Sequence, residues 1–131
     1  MKRGGILNGQ LLLALASLGH GDRIAIADCG LPIPKDIFTV DLAVIKGIPS
    51  FQDVAKALAA ELVIQKIIIA DEMRTHNPHQ YAFVKALFGS TPLEEIPHAQ
   101  FKQLLHSVKA VIRTGEATPY SNAILEAGVD F

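Results

Sequence analysis

A histidine stands between two glycines in the run Gly19-His20-Gly21-Asp22, and eight residues after it Asp28 closes the apolar stretch Arg23–Ala27. Imidazole gives and takes a proton near neutral pH more readily than any other side chain. The flanking glycines let the backbone turn sharply and leave the ring uncrowded. Asp28 falls where the apolar run meets the loop Cys29-Gly30-Leu31-Pro32, and in an open α/β sheet that strand end is where ligands sit. Together the two residues point to acid/base chemistry on a small molecule.

A second polar group follows the apolar run Ala110–Arg113. The segment Thr114-Gly115-Glu116-Ala117-Thr118-Pro119-Tyr120-Ser121-Asn122 gathers hydroxyls, a carboxylate, a phenol and an amide. Such a set suits a polyhydroxylated ligand, which needs several oriented donors and acceptors beside one flat apolar surface. It also suits a polar turn held by its own Thr and Asn bonds. Glu116 has two readings, tuning an acid or tying down the loop, and the residues alone leave both open. His20 also reads as a dipole partner at a helix end, Asp28 as a turn residue, His98 as a surface helix start and Tyr120 as a core aromatic. Cys29 reads as a packing residue. His76 and His79, near Asp71 and Glu72, match no recognised metal spacing and read as a solvated helix start.

The elements that must position these groups alternate along the chain. Asn8 caps a helix over residues 9–18, which Gly19 and Gly21 stop. Strands are expected over 23–27, 38–44, 64–70, 93–96 and 110–113, with an extended segment at 120–125. Ser50 with Asp53 forms a capping arrangement for a helix through Leu62. Asn77-Pro78 opens a helix through Leu87, and Pro97-His98 opens one to about Val108. Alternating strands and helices predict a single α/β domain with a largely parallel sheet flanked by helices. The loops 28–34, 71–77 and 114–122 then share the carboxyl edge of that sheet.

The chain has 131 residues, enough for one core, and its formal net charge of −1 lacks the basic footprint of a nucleic-acid binder. The apolar stretch 11–18 is too short to span a bilayer, and a single cysteine cannot form an internal disulfide framework. The expectation is a soluble cytoplasmic protein. Half of the residues are hydrophobic and the mean hydropathy is +0.30, which is high for a small monomer. Some surface is therefore expected to be buried against copies of the chain.

Four separated segments carry a family resemblance: GGILN at 4–8, LGHGDRIAIADCGLPIP at 18–34, GIPSFQDV at 47–54 and AVIRTGEATPYSNAILEAGV at 110–129. In order and over essentially the full length, they resemble the D-ribose pyranases, small sugar mutarotases related to the L-fucose mutarotases. The resemblance implies a cyclic, decameric assembly with sites between neighbouring subunits, and interconversion of the pyranose and furanose forms of D-ribose. It implies His20 as proton donor, and Asp28, His98, Tyr120 and Asn122 as sugar-binding residues, with Ser121 contributing from the same segment. Lys102 lies one helical turn after His98 and joins the set as a residue on the same helix face. No cofactor or metal is required for this chemistry. Mutarotation of another sugar such as L-fucose, or sugar binding without turnover beside a transport system, are the alternative readings.

Overall fold

Short apolar runs and polar caps alternate as expected, and the computed structural model, which describes residues 1–131, turns them into six strands and five α-helices. Asn8 accepts a hydrogen bond from the Leu11 N–H and opens α1 (Gly9–Ala16), followed by β1 (Arg23–Ala27) and β2 (Phe38–Asp41). A reciprocal pair between Ser50 and Asp53 starts α2 (Phe51–Glu61), which leads to β3 (Ile64–Ala70). A short α3 (Glu72–His76) precedes α4 (Pro78–Phe88), whose cap is Asn77 and whose first turn holds Pro78. Then come β4 (Leu93–Ile96), α5 (His98–Leu104) ending in a 3-10 turn (Leu105–Ser107), β5 (Ala110–Arg113) and β6 (Ala123–Ala127).

The strands form one sheet in the order β2-β5-β1-β6-β3-β4. β6 runs antiparallel to both of its neighbours and every other pairing is parallel. Side chains alternate between the two faces, and both faces are covered, so β1 and β3 read as near-continuous apolar runs. On one face Ile24, Ile26, Ile67, Ile69, Ile112 and Leu125 pack under α1, α2 and α4 with Phe51 and Met73. On the other, Ala25, Ile68, Val111 and Ile124 meet Phe101 and Leu105 of the shorter α5 region. Full burial of Phe51 and Phe101 contributes roughly 2–3 kcal/mol each.

Four expectations change. Residues 71–77 are not all loop: α3 forms because Met73 is fully buried and anchors the turn. The first helix ends at Ala16, so His20 lies in the following turn and not at a helix terminus. β2 stops at Asp41, because the Leu42 N–H still pairs with Arg113 while the chain then turns into the loop carrying Ile45 and Ile48. β6 begins at Ala123 because Tyr120 adopts a left-handed backbone (φ +55°). Leu7, Leu13, Phe38, Val44, Ile45, Ile48, Val63 and Val129 are exposed, a large apolar surface for a chain of this size.

Candidate active site

Because five strands run one way, their carboxyl ends share one edge, and the antiparallel β6 brings its amino end to the same place. Asp28 after β1, Thr114 after β5, Asp71 after β3, His98 after β4 and Tyr120–Asn122 before β6 therefore converge. This is the edge expected for the three polar loops.

Asp28 and Asn122 are locked together. The Asp28 N–H donates to Asn122 Oδ1 at 2.7 Å, and Asn122 Nδ2 donates to Asp28 Oδ2 at 2.8 Å. The Gly30 N–H donates to Asp28 Oδ1 at 2.9 Å. Asn122 is fully buried, whereas Asp28 is half-buried and keeps acceptor capacity toward the cleft. Asn122 thus positions the carboxylate that faces outward.

Ser121 is also fully buried, and its hydroxyl is consumed by the loop itself. Glu116 Oε1 accepts from the Thr118 hydroxyl at 2.9 Å, so that hydroxyl in turn accepts from Ser121 Oγ at 2.7 Å. Ser121 Oγ accepts from Gln80 Nε2 at 3.0 Å and from Asn77 Nδ2 at 3.2 Å. The chain of donors runs from Gln80 through Ser121 and Thr118 to Glu116. The other Glu116 oxygen accepts from the Phe51 N–H, at the positive end of α2. Glu116 ties down the loop, one of the two readings the sequence left open. Gly115 is required where it stands: a Cβ there would overlap the carbonyl oxygens of Ile45 and Ile48.

His98 begins α5, and its N–H donates to both Glu72 oxygens at 3.2 and 3.0 Å. Its ring stacks on Phe101 and meets Tyr120 edge-on with centroids 5.1 Å apart. Tyr120 in turn lies 5.4 Å from the His76 ring. His98 Nδ1 is shielded from solvent and unpartnered, a polar atom set among aromatic rings. Burial opposes ionisation of Glu72, but hydrogen bonds from its own backbone N–H, from Asp71 and from His98 outweigh it and hold the carboxyl below its usual range. Asp71 is pushed up, chiefly because it shares a hydrogen bond with Glu72. Lys102 is exposed one turn further along α5.

Two adjoining hollows occupy this edge. One of about 320 Å³ is lined by Asp28, Leu31, Pro32, His98 and Tyr120, and one of about 380 Å³ by Asp28, Cys29, Lys46, Glu116 and Thr118. Both share Asp28, and their size lies in the range of small-molecule sites. Carboxylate oxygens, an imidazole and a phenol beside apolar Leu31 and Pro32 suit a sugar.

His20 is elsewhere. It precedes β1 while Asp28 follows it, and the strand alone separates Arg23 from Asp28 by roughly 17 Å. The two residues that the sequence read together therefore lie at opposite ends of β1, and Asp28 does not touch the imidazole of its own chain. His20 is exposed, with Nε2 3.0 Å from Gln65 Oε1. Sequence reading also missed Gln65 and Gln80, and took Glu72 only as part of a solvated helix start. The one available signal for Gln65 was a polar residue at the second position of an apolar strand.

The model of the RbsD / FucU transport protein family matches residues 1–130, and the chain belongs to that family. Within it, the chain is 51% identical to a D-ribose pyranase of Geobacillus thermodenitrificans (strain NG80-2), covering 100% of this chain and 99% of the relative. It is 48% identical to the D-ribose pyranase of Bacillus subtilis (strain 168) over the whole of both chains. The structure of Bacillus subtilis RbsD complexed with D-ribose superposes with a TM-score of 0.97 at 48% identity, covering 100% of each chain. A fucose mutarotase from Streptococcus pneumoniae, solved with L-fucose, shares the fold with a TM-score of 0.81 at 19% identity, covering 95% of this chain and 94% of that one.

Proposed function

We propose that this chain is an isomerase that interconverts the pyranose and furanose forms of D-ribose. The observation that carries the reading is the near-complete superposition on a ribose-bound relative, in a chain whose own sheet edge holds a pre-oriented carboxylate beside an imidazole and a phenol. Asp28 accepts hydrogen bonds from sugar hydroxyls. His98 and Tyr120 present polar tips and flat faces to the ring, and Lys102 reaches the outer hydroxyls. Asn122 and Ser121 hold the loop and the carboxylate in place.

Changing ring form requires opening the hemiacetal. One proton is delivered to the ring oxygen and one is removed from the anomeric hydroxyl, giving the open-chain aldehyde. Closure through a different hydroxyl reverses both transfers. A positioned acid/base group accelerates each step, and orientation of the open chain favours reclosure over escape. The reading gives His20 this proton-donor role. Since His20 lies at the far edge of its own sheet, a neighbouring copy supplies it. The exposed apolar residues, Ile45, Ile48 and Val63 among them, support such an assembly, and a homodecamer is the form we expect. The furanose product would feed a ribose-phosphorylating step in the cytoplasm. No helix is long and apolar enough to cross a membrane.

Magnetisation exchange between the ring forms of D-ribose, followed by NMR, tests this. The protein should speed pyranose–furanose exchange, and His20→Ala should remove about 100-fold or more of that acceleration while the protein still binds ribose. Binding without any acceleration by the unmodified protein would favour a sugar-binding accessory role. Stronger acceleration of L-fucose exchange would reassign the substrate.

A further inference from the structure

The turn that carries His20 is fixed from several sides. The Asp22 carboxylate accepts from the Gly19 N–H at 2.7 Å and pairs with Lys109 at 2.8 Å. The Gly21 N–H donates to the Ala127 carbonyl, and the Ala127 N–H donates to that of Asp22, both at 2.8 Å. The backbone of the turn is thereby stitched to β6. The imidazole itself has one side-chain partner, Gln65 Oε1.

Gln65 belongs to a short chain of contacts along the same edge. Its Nε2 donates to Glu126 Oε1 at 2.9 Å, and Glu126 Oε2 accepts from Arg23 Nε and from the Arg23 terminal nitrogen, both at 2.8 Å. The hydrogen bond from Gln65, together with Arg23, holds the Glu126 carboxyl below the usual carboxylate range. An ionised carboxylate only accepts. The amide of Gln65 must therefore turn its NH2 toward Glu126, which leaves its carbonyl facing His20. A carbonyl also only accepts, so the imidazole nitrogen opposite must carry a hydrogen.

We propose that Gln65 is a positioning residue that holds His20 with a hydrogen on Nε2, leaving Nδ1 as the nitrogen that exchanges a proton with the sugar. This rests on the proton-donor reading of His20. Neutral His20 then offers its lone pair at Nδ1 as a base, and charged His20 donates from the same atom. The imidazole moves one proton through one nitrogen in both half-reactions. The charged groups around the turn are Asp22, Lys109, Arg23, Glu126 and Lys66, and none of them bonds the ring. Its orientation is set by the neutral amide alone.

The test is nitrogen-15 NMR of the His20 ring in the full chain, combined with ribose exchange kinetics. In the unmodified protein with the ring neutral, Nε2 should give a pyrrole-type shift and Nδ1 a pyridine-type shift. Gln65→Met keeps the length and removes the acceptor. It should mix the two tautomers and lower kcat by about tenfold with KM unchanged. Gln65→Glu combined with Glu126→Gln restores an acceptor and adds a charge beside the ring. It should keep the Nε2–H form and move the His20-dependent limb of the pH–rate profile to higher pH. An Nδ1–H tautomer in the unmodified protein would overturn the proposal, as would a Gln65→Met variant with unchanged tautomer and kcat. If His20→Ala retained the full exchange rate, the proton-donor reading would fail by itself, and the ring spectra alone would decide whether Gln65 sets the tautomer.

Discussion

The two edges of the sheet are built on different principles. At the carboxyl edge, Asn122, Ser121, Thr114 and Glu116 are buried, and each side chain is committed to hydrogen bonds that fix the loop before any ligand arrives. At the opposite edge His20 and Gln65 are exposed, and a single contact orients the ring. The carboxyl edge is pre-organised, while the imidazole of His20 is left open at the surface. The difference bears directly on the proposed role of His20. Groups separated by more than the length of β1 cannot serve one sugar within one chain. On the proposed function, a second copy would lay its His20 edge against the carboxyl edge of the first.

The largest effect should come from testing whether the two edges serve one site across subunits. His20→Ala and Asp28→Ala should each lower the ribose exchange rate by about 100-fold. Co-expression of the two variants should then restore activity, since with random mixing about one quarter of shared sites regain both residues. The measure is the exchange rate of mixed oligomers against that of each variant alone, and a rise of more than tenfold is expected. Mixed oligomers no faster than the mean of the two variants would place His20 outside the site that Asp28 serves.

A smaller effect should separate the edges by stability. Glu116→Ala leaves the Phe51 and Thr118 N–H groups without their acceptor in a buried setting, at a cost of about 2 kcal/mol. Thermal unfolding should show Tm lower by roughly 8 °C. His20→Ala should shift Tm by about 1 °C at most, as expected for an exposed residue. Equal shifts at the two edges would remove the contrast.

How much of this was legible in the sequence follows from the range of each interaction. β1, β3, β4 and β5 are found at the residues their apolar runs predict, and the Ser50–Asp53 capping pair forms as its spacing requires. Those signals are local. The convergence of Asp28 with the loop 114–122 was also readable, because parallel strands put their ends on one edge. What was not readable depends on contacts between distant positions: Asn122 is 94 residues from Asp28, and Gln65 is 45 from His20. The helix α3 is five residues long and is held by burial of Met73, which no local pattern announces. His20 and Asp28 look adjacent along the chain, yet the strand between them drives them apart.

The smallest effect expected is in the pH dependence of the His20 edge. Glu126 in the folded chain sits below the usual carboxylate range, held there by Gln65 and Arg23. As pH falls, the unfolded chain takes up this proton before the folded one does. The stability that Glu126 contributes is therefore fully present above the ordinary value of about 4.3 and is lost as pH drops through the depressed folded value. Glu126→Gln should accordingly lower Tm by a few degrees at pH 7, and the gap to the unmodified protein should narrow as pH falls below about 4. Melting curves across that range read the gap directly. A gap that stays constant down to pH 3 would mean that Glu126 acts through packing and not through its charge. The bonds from Gln65 and Arg23 would then add no charge-dependent stability, and the His20 edge would be held by the contacts of Asp22 and β6 alone.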